Sequence, residues 1–202
     1  MEADEKQNVY KVYNKIAAWY DQNRSGELYE KPYLDKMLSH MPPAPTVLDL
    51  GCGTGKPIIE YFISRDIQIV GVDASSELLN IARTNFPDTD FYEQDMRLLK
   101  LNRKFDGIIA WNSFFHLPAA DQPAMFGIFE QHLNPGGILM FTSGTEQGEA
   151  WGVNGGENMY HASLDTAEYE QLLSNHNFDV IHHKVNDPDC GGLTVWMAKL
   201  VK

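Results

Sequence analysis

VLDLGCGTG, residues 47–55, passes from a short apolar run directly into three glycines at alternate positions. A buried strand feeding a glycine bend is the start of a strand–turn–helix unit, because glycine lets the backbone turn sharply and approach a ligand closely. Pro57 follows near the first helical turn, where proline is tolerated. Three ligand classes use such a bend. A P-loop needs glycine at position 50 and Ser or Thr after Gly55-Lys56; the chain has Leu50 and Pro57, so that reading fails. The dinucleotide pattern G-x-G-x-x-G fits Gly51 and Gly53, but its third glycine falls on Lys56, where close helix–strand contact is lost. What remains is G-x-G-x-G with Asp49 two places ahead of it.

Outward from this stretch, apolar runs alternate with amphipathic ones. Strands are expected at 47–50, 67–73, 105–111 and 137–143, with a weaker one at 88–93. Helices are expected near 56–64, 75–85, 119–132 and 165–176, Ser75 and Asp165 serving as caps. Asn134-Pro135-Gly136-Gly137 reads as a turn feeding the fifth strand. Strands separated by helices mean βαβ units and a parallel sheet covered on both faces, which is why the strands are continuously apolar. The end of the chain breaks this rhythm. FDVIHHKV (178–185) and LTVWMAKLV (193–201) are joined by NDPDCGG without a helix, so they form a hairpin and the last strand runs antiparallel. At the other end, MPPAPT (41–46) terminates a helical preamble over 8–39, whose Val9, Val12, Tyr13, Ile16, Ala17 and Tyr20 make one apolar stripe. The expectation is one domain, 1–202, with a helical lid at 1–45 and an α/β core at 46–202.

Two further positions align with the glycine bend. Asp73 ends the second strand, and 73 − 51 gives 22, near the roughly 20 residues that separate a glycine turn from a ribose-binding acid. Asp95-Met96 follows the third strand, offering an acceptor for an amino group and a thioether to pack on a ring. A parallel sheet delivers successive strand ends to one crevice, so a bend, an acid and a second acid in register point to a nucleoside ligand.

The motifs VLDLGCGTG, VGVDAS, EQDM, FDGIIAWNSFFHL and LNPGGILMFT together closely resemble the class I S-adenosylmethionine-dependent methyltransferases of the small-molecule type. The resemblance implies a doubly wound, Rossmann-like, seven-stranded, mostly parallel sheet with an antiparallel last strand, and S-adenosyl-L-methionine as cofactor. It implies that Asp49, Gly51, Cys52 and Gly53 pass under the methionine and ribose, Asp73 and Ala74 hold the ribose, Asp95 and Met96 frame the adenine, and Trp111 closes the pocket. KVYNKIAAWYDQNR (11–24) is similar to the N-terminal lid of that family, its Y-D-x-x-A-x-x-Y-D pattern kept as Tyr13, Asn14, Ala17, Tyr20 and Asp21. Tyr13 and Tyr20 are then cofactor contacts. With Trp19 and Trp111 they offer a sulfonium cation–π stabilisation of about 0.5–2 kcal/mol.

His116, after the fourth strand, is the candidate catalytic base. The stretch 143–163 is longer than usual connections and reads as a lid loop with a Gly-rich hinge, in which Trp151, Tyr160 and His161 are candidate substrate contacts. His182 and His183 alternate across a strand and do not converge, so no metal site is expected. A net charge of −12, from 16 Lys+Arg and 28 Asp+Glu, disfavours nucleic acid and membrane surfaces and favours a small-molecule substrate. Two cysteines make no disulfide framework, and the polar acidic start MEADEKQNVY reads as no signal peptide, so the cytoplasm is the expected compartment. Two other functions fit parts of the pattern: a non-catalytic cofactor-binding module, and a NAD-dependent oxidoreductase. Oligomeric state and the methyl-accepting atom are not encoded in any motif.

Overall fold

The structure is a computed structural model, and it describes residues 2–24 and 26–202. Three helices come first: α1 (Glu2–Gln7), α2 (Tyr10–Asn23) and α3 (Lys31–Ser39). The alternation then runs β1 (Thr46–Leu50), α4 (Ile58–Ile63), β2 (Gln68–Asp73), α5 (Ser76–Asn85), β3 (Asp90–Glu93), β4 (Phe105–Ala110), α6 (Gln122–His132) and β5 (Leu133–Ser143). After it come β6 (Gly148–Asn154), β7 (Glu157–Ser163), α7 (Thr166–Asn175), β8 (Phe178–Asp187) and β9 (Leu193–Leu200).

Seven strands form one sheet in the order β3-β2-β1-β4-β5-β9-β8. The pairs of β1 with β2 and β4, β2 with β3 and β4 with β5 are parallel; β9 runs antiparallel to β5 and β8. Successive side chains point to opposite faces, and the two faces bury different sets. Val47, Ile69, Ile109, Met140 and Met197 pack with Leu34 and Met37 of α3 and with Ile59 and Phe62 of α4. Leu48, Leu50, Val70, Ile108 and Phe141 pack with Phe126 and Phe129 of α6 and Tyr169 of α7. The caps read from the sequence are made: Ser75 Oγ accepts from the Leu78 amide at 3.2 Å, and an Asp165 carboxylate oxygen accepts from the Glu168 amide at 2.7 Å. The order of strands reverses between β1 and β4, which opens a crevice beyond their C-terminal ends.

One expectation is refined and two are corrected. The helical preamble expected over 8–39 holds two helices, α2 and α3, and α1 precedes it. Asn134–Gly137 lies within β5, where a register shift between Phe105 and Gly107 of β4 absorbs the irregular backbone. The stretch 143–163 is not a loop. It holds the hairpin β6–β7, whose two-residue turn places Gly155 and Gly156 at φ of 58° and 83°, the sign that a tight hairpin turn of the right twist demands. Its Met159, Tyr160 and Ala162 are buried in one cluster with Val9, Val12 and Ile16 of the preamble. Partial alternation across 148–163 is the signal that a strand reading required.

Candidate active site

Beyond the ends of β1, β2, β3 and β4 lies a cavity of about 890 Å³, counted to its open mouth. A volume of that order suits a nucleoside-sized ligand. Twelve of the residues expected to meet the cofactor or to act as the base line it, from Tyr13 and Tyr20 of α2 to Trp111 and His116 after β4, while Trp19 does not.

The glycine bend forms the floor. The Gly51 and Cys52 amides both donate to the Val72 carbonyl, at 2.7 and 3.1 Å, which ties the bend across to β2. Gly51 sits at φ 77°, and a Cβ there would lie 2.2 Å from Ser113 Cβ. Ser113 Oγ donates to the Leu50 carbonyl at 2.6 Å, so the chain after β4 presses on the bend from the other side. Asp73 closes it. One of its oxygens accepts from the Gly53 amide at 2.9 Å and the other from Ser75 at 2.8 Å. Burial lifts the Asp73 carboxyl above its usual range against the pull of these amides.

Asp49 is the least solvated acid of the site, 2% exposed, and it accepts no hydrogen bond from the described residues. Burial pushes its carboxyl up to about 7, helped by the charges of Asp73 and Glu30 and opposed by Arg24. Arg24 was not singled out by sequence reasoning, although it lies one helical turn beyond Tyr20. Its guanidinium donates to the Lys56 carbonyl at 2.8 Å, to Tyr20 Oη at 3.3 Å and to Glu30 Oε1 at 3.2 Å, and it lines the cavity. At the far end, Asp95 is gripped by Arg97, another unanticipated lining residue, with Nη2 2.6 Å from Oδ2. Burial lifts the Asp95 carboxyl, and these hydrogen bonds outweigh it and hold it below its usual range. Arg97 also reaches Asp121 at 2.8 Å and the Gln7 carbonyl at 2.9 Å, pinning the N-terminal segment over this end.

His116 is committed at both nitrogens. Nδ1 lies 2.8 Å from the Tyr160 carbonyl, which only accepts, so Nδ1 carries the proton and Nε2 accepts from Tyr13 Oη at 3.0 Å. Burial pushes the imidazole down to about 3, so the ring is neutral. Tyr13 stays protonated, its phenol raised by burial. The three candidate substrate residues do not line the cavity. Tyr160 is 1% exposed beneath α1 and α2, His161 lies tilted against His116 at 4.8 Å between ring centroids, and Trp151, paired with Tyr160 across the hairpin, is 46% exposed. Trp19 is also outside, 42% exposed. Asn14 has another job: its Oδ1 accepts from Ser75 Oγ at 2.7 Å and the Glu77 amide at 3.2 Å, fastening α2 to the start of α5. His182 and His183 lie elsewhere, against Tyr33 and Trp196 respectively.

Residues 47–137 match the family model described as a methyltransferase domain. That stretch of the chain is similar to a methyltransferase domain. Curated relatives of the domain include a dTDP-3-amino-3,4,6-trideoxy-alpha-D-glucopyranose N,N-dimethyltransferase from Streptomyces venezuelae, 32% identical over 52% of this chain and 45% of the relative. A trans-aconitate 2-methyltransferase from Azoarcus sp. (strain BH72) is 35% identical over 48% of this chain and 38% of the relative. The chain thus spans less than half the length of these relatives. Among solved structures, a S-adenosylmethionine-dependent methyltransferase from Clostridium acetobutylicum ATCC 824 superposes with a TM-score of 0.75 at 19% identity, covering 95% of this chain and 100% of that one. A Burkholderia thailandensis 1,6-didemethyltoxoflavin-N1-methyltransferase gives 0.74 at 17%, covering 96% and 88%. These likenesses show a shared fold, consistent with the seven-stranded sheet and its antiparallel β9. Among the described residues no helix is long and apolar enough to cross a membrane.

Proposed function

We propose that the protein binds S-adenosylmethionine in this cavity and transfers its methyl group to a small-molecule acceptor. The observation that carries the reading is the buried Asp49 carboxylate, which faces the cavity and accepts nothing from the described residues. An ammonium group fits it, and the guanidinium of Arg24 nearby fits a carboxylate, so the pair suits the two charges of an amino-acid moiety. In this reading Asp73 accepts from the ribose hydroxyls, and Asp95 with Met96 frames the adenine. When bound, the cofactor supplies a sulfonium methyl that passes to a nucleophile's lone pair while the C–S electrons stay on sulfur.

The protein's own part is mostly alignment, which can contribute roughly 7–11 kcal/mol of barrier reduction. Tyr13 and Tyr20 of the lid, with Trp111, offer aromatic faces and oxygen lone pairs to a cation. His116 holds the Tyr13 hydroxyl in place. We read residues 1–45 as a lid on a core at 46–202, and the charge of −12 supports a small acceptor, no nucleic acid and a cytoplasmic setting. Two of the relatives named as N,N-dimethyltransferases act on amino sugars, and that supports a metabolite-sized acceptor here.

Calorimetry with S-adenosylmethionine and S-adenosylhomocysteine tests the reading. Replacement of Asp73 by Ala is expected to weaken binding by about 1.5–3 kcal/mol, roughly ten- to a hundredfold, the scale of a charged hydrogen bond. Absence of binding by both nucleosides, or tight binding of NADH in their place, would overturn it.

A further inference from the structure

Arg97 sits where the end of α1, the turn after β3 and the start of α6 meet. A guanidinium has five N–H donors, and in Arg97 all of them are engaged. Nε–H is shared by the two Asp95 oxygens, at 3.0 and 3.2 Å. Nη2 donates to Asp95 Oδ2 at 2.6 Å and to the Gln7 carbonyl at 2.9 Å. Nη1 donates to Asp121 Oδ2 at 2.8 Å and to Gln7 Oε1 at 3.0 Å. The backbone adds to the grip, because Asp95 caps the short 3-10 turn Met96–Leu98 and its Oδ1 accepts from the Arg97 amide at 2.9 Å. Among the described residues, every hydrogen bond to the Asp95 carboxylate comes from Arg97.

We propose that Arg97 is the positioning residue for purine recognition: by clamping Asp95 at one angle, it makes the site take a 6-aminopurine and reject a 6-oxopurine. The inference rests on the cofactor reading above, which gives Asp95 to adenine. A carboxylate offers about four lone-pair sites. Arg97 brings three hydrogens to them, from its amide, Nε and Nη2, so one site is left for a ligand. Asp95 lines the cavity, and the exocyclic amino group of adenine is a donor of the kind that site accepts. Gln7 lines the cavity too, so the clamp and this part of the wall are one unit.

The clamp matters because the two purines differ at more than one atom. A 6-oxopurine has a carbonyl oxygen in place of the amino group, and one position along the same edge it gains an N1–H. A carboxylate free to turn can follow that N–H and accept from it. Asp95 lacks this freedom. A fork of parallel N–H bonds holds both its oxygens, and Asp121 and Gln7 hold the guanidinium from other segments, so the fork cannot turn with it. A 6-oxopurine seated there sets its oxygen against a fixed carboxylate with no hydrogen between them. Burial raises the Asp95 carboxyl, and the Arg97 bonds pull it below its usual range, so it remains an acceptor at neutral pH.

The test compares S-adenosylhomocysteine with S-inosylhomocysteine, which differ only at this purine edge, by calorimetry. The wild-type protein is expected to prefer the adenosyl compound by at least about hundredfold, as a site built around a ligand N–H does. Arg97→Met keeps an apolar stem and removes the fork, and the preference should fall below about tenfold. Arg97→Lys keeps the cation without the fork. It should show the same fall, and it decides the matter if the methionine variant fails to fold. A merely supporting role for Arg97 would weaken both compounds equally and leave their ratio at the wild-type value. That ratio in either folded Arg97 variant would overturn the proposal, provided that Asp95→Ala abolishes the preference. Wild-type protein that binds neither compound, or a preference that survives Asp95→Ala, overturns the assignment of Asp95 to adenine instead.

Discussion

Replacing Asp49 by Asn should make the ligand-free protein more stable and the liganded protein less so. The folded-state carboxyl titrates at about 7 against 3.8 for the exposed side chain. Three units at 1.36 kcal/mol each set a ceiling of about 4 kcal/mol. Asp49 is 2% exposed but faces a cavity that water can enter, so about half that ceiling is the working figure. The sign follows from linkage. A carboxyl whose folded pKa is raised favours folding at low pH, where it is neutral in both states, and that contribution is lost as pH rises from about 4 to about 7. The Asn side chain has no such loss. Its advantage should be near zero at about pH 4 and full above about pH 7, roughly 2 kcal/mol, or a rise of about 4–8 °C in Tm for a chain of this length. Scanning fluorimetry of both proteins over that range measures it. Ligand binding should show the mirror image. Wild-type affinity for S-adenosylhomocysteine should fall about tenfold between about pH 8 and pH 6 as Asp49 takes up a proton, and the variant should bind weakly at every pH. A melting difference of one size at all pH values would show that Asp49 does not titrate in this window, and the ammonium assignment would go with it.

Two smaller perturbations probe the floor and the lid. Gly51→Ala forces a side chain into a left-handed backbone and against Ser113, so a loss of about 2–4 kcal/mol in chemical denaturation, together with lost nucleoside binding, is expected; a variant that keeps both would mean the bend relaxes freely. Tyr13→Phe and His116→Phe each strand a buried partner at about 1–3 kcal/mol, and the double variant should recover part of that, a coupling of at least about 1 kcal/mol. Additive losses would mean that the two side chains act independently.

Legibility followed the sheet. The strand runs, the helices between them, both caps and the terminal hairpin could be read because each rests on local chemistry: apolar continuity, a serine or aspartate before a helix, or two β-rich runs without a helix between. Where local signals conflicted, the reading went astray. The segment SGTEQGEAWGVNGGENMYHAS has glycines at five of its positions, which argue for a loop, yet Asn154-Gly155-Gly156-Glu157 is a hairpin turn and Met159, Tyr160 and Ala162 alternate only approximately. What holds the hairpin is the stripe Val9, Val12 and Ile16, about 150 positions earlier in the chain, and no window of local sequence contains both.

The same distinction runs through the site. Asp49, Asp73 and Asp95 were recoverable because parallel register carries the ends of β1, β2 and β3 to one rim, so that counting along the chain is equivalent to measuring across it. Arg24 had no such ruler. It meets Asp49 only because α2 docks across the sheet, and that docking depends on Asn14 fastening to Ser75 and on Arg97 holding Gln7. His116 is the sharper case. A histidine after the fourth strand looks like a base, but a base needs a free nitrogen, and Tyr160 and Tyr13 reach its ring from a hairpin and a lid, 44 and 103 positions away. Residues positioned by their own strand keep the chemistry their type suggests; residues reached by distant segments take on whatever chemistry the docking leaves them.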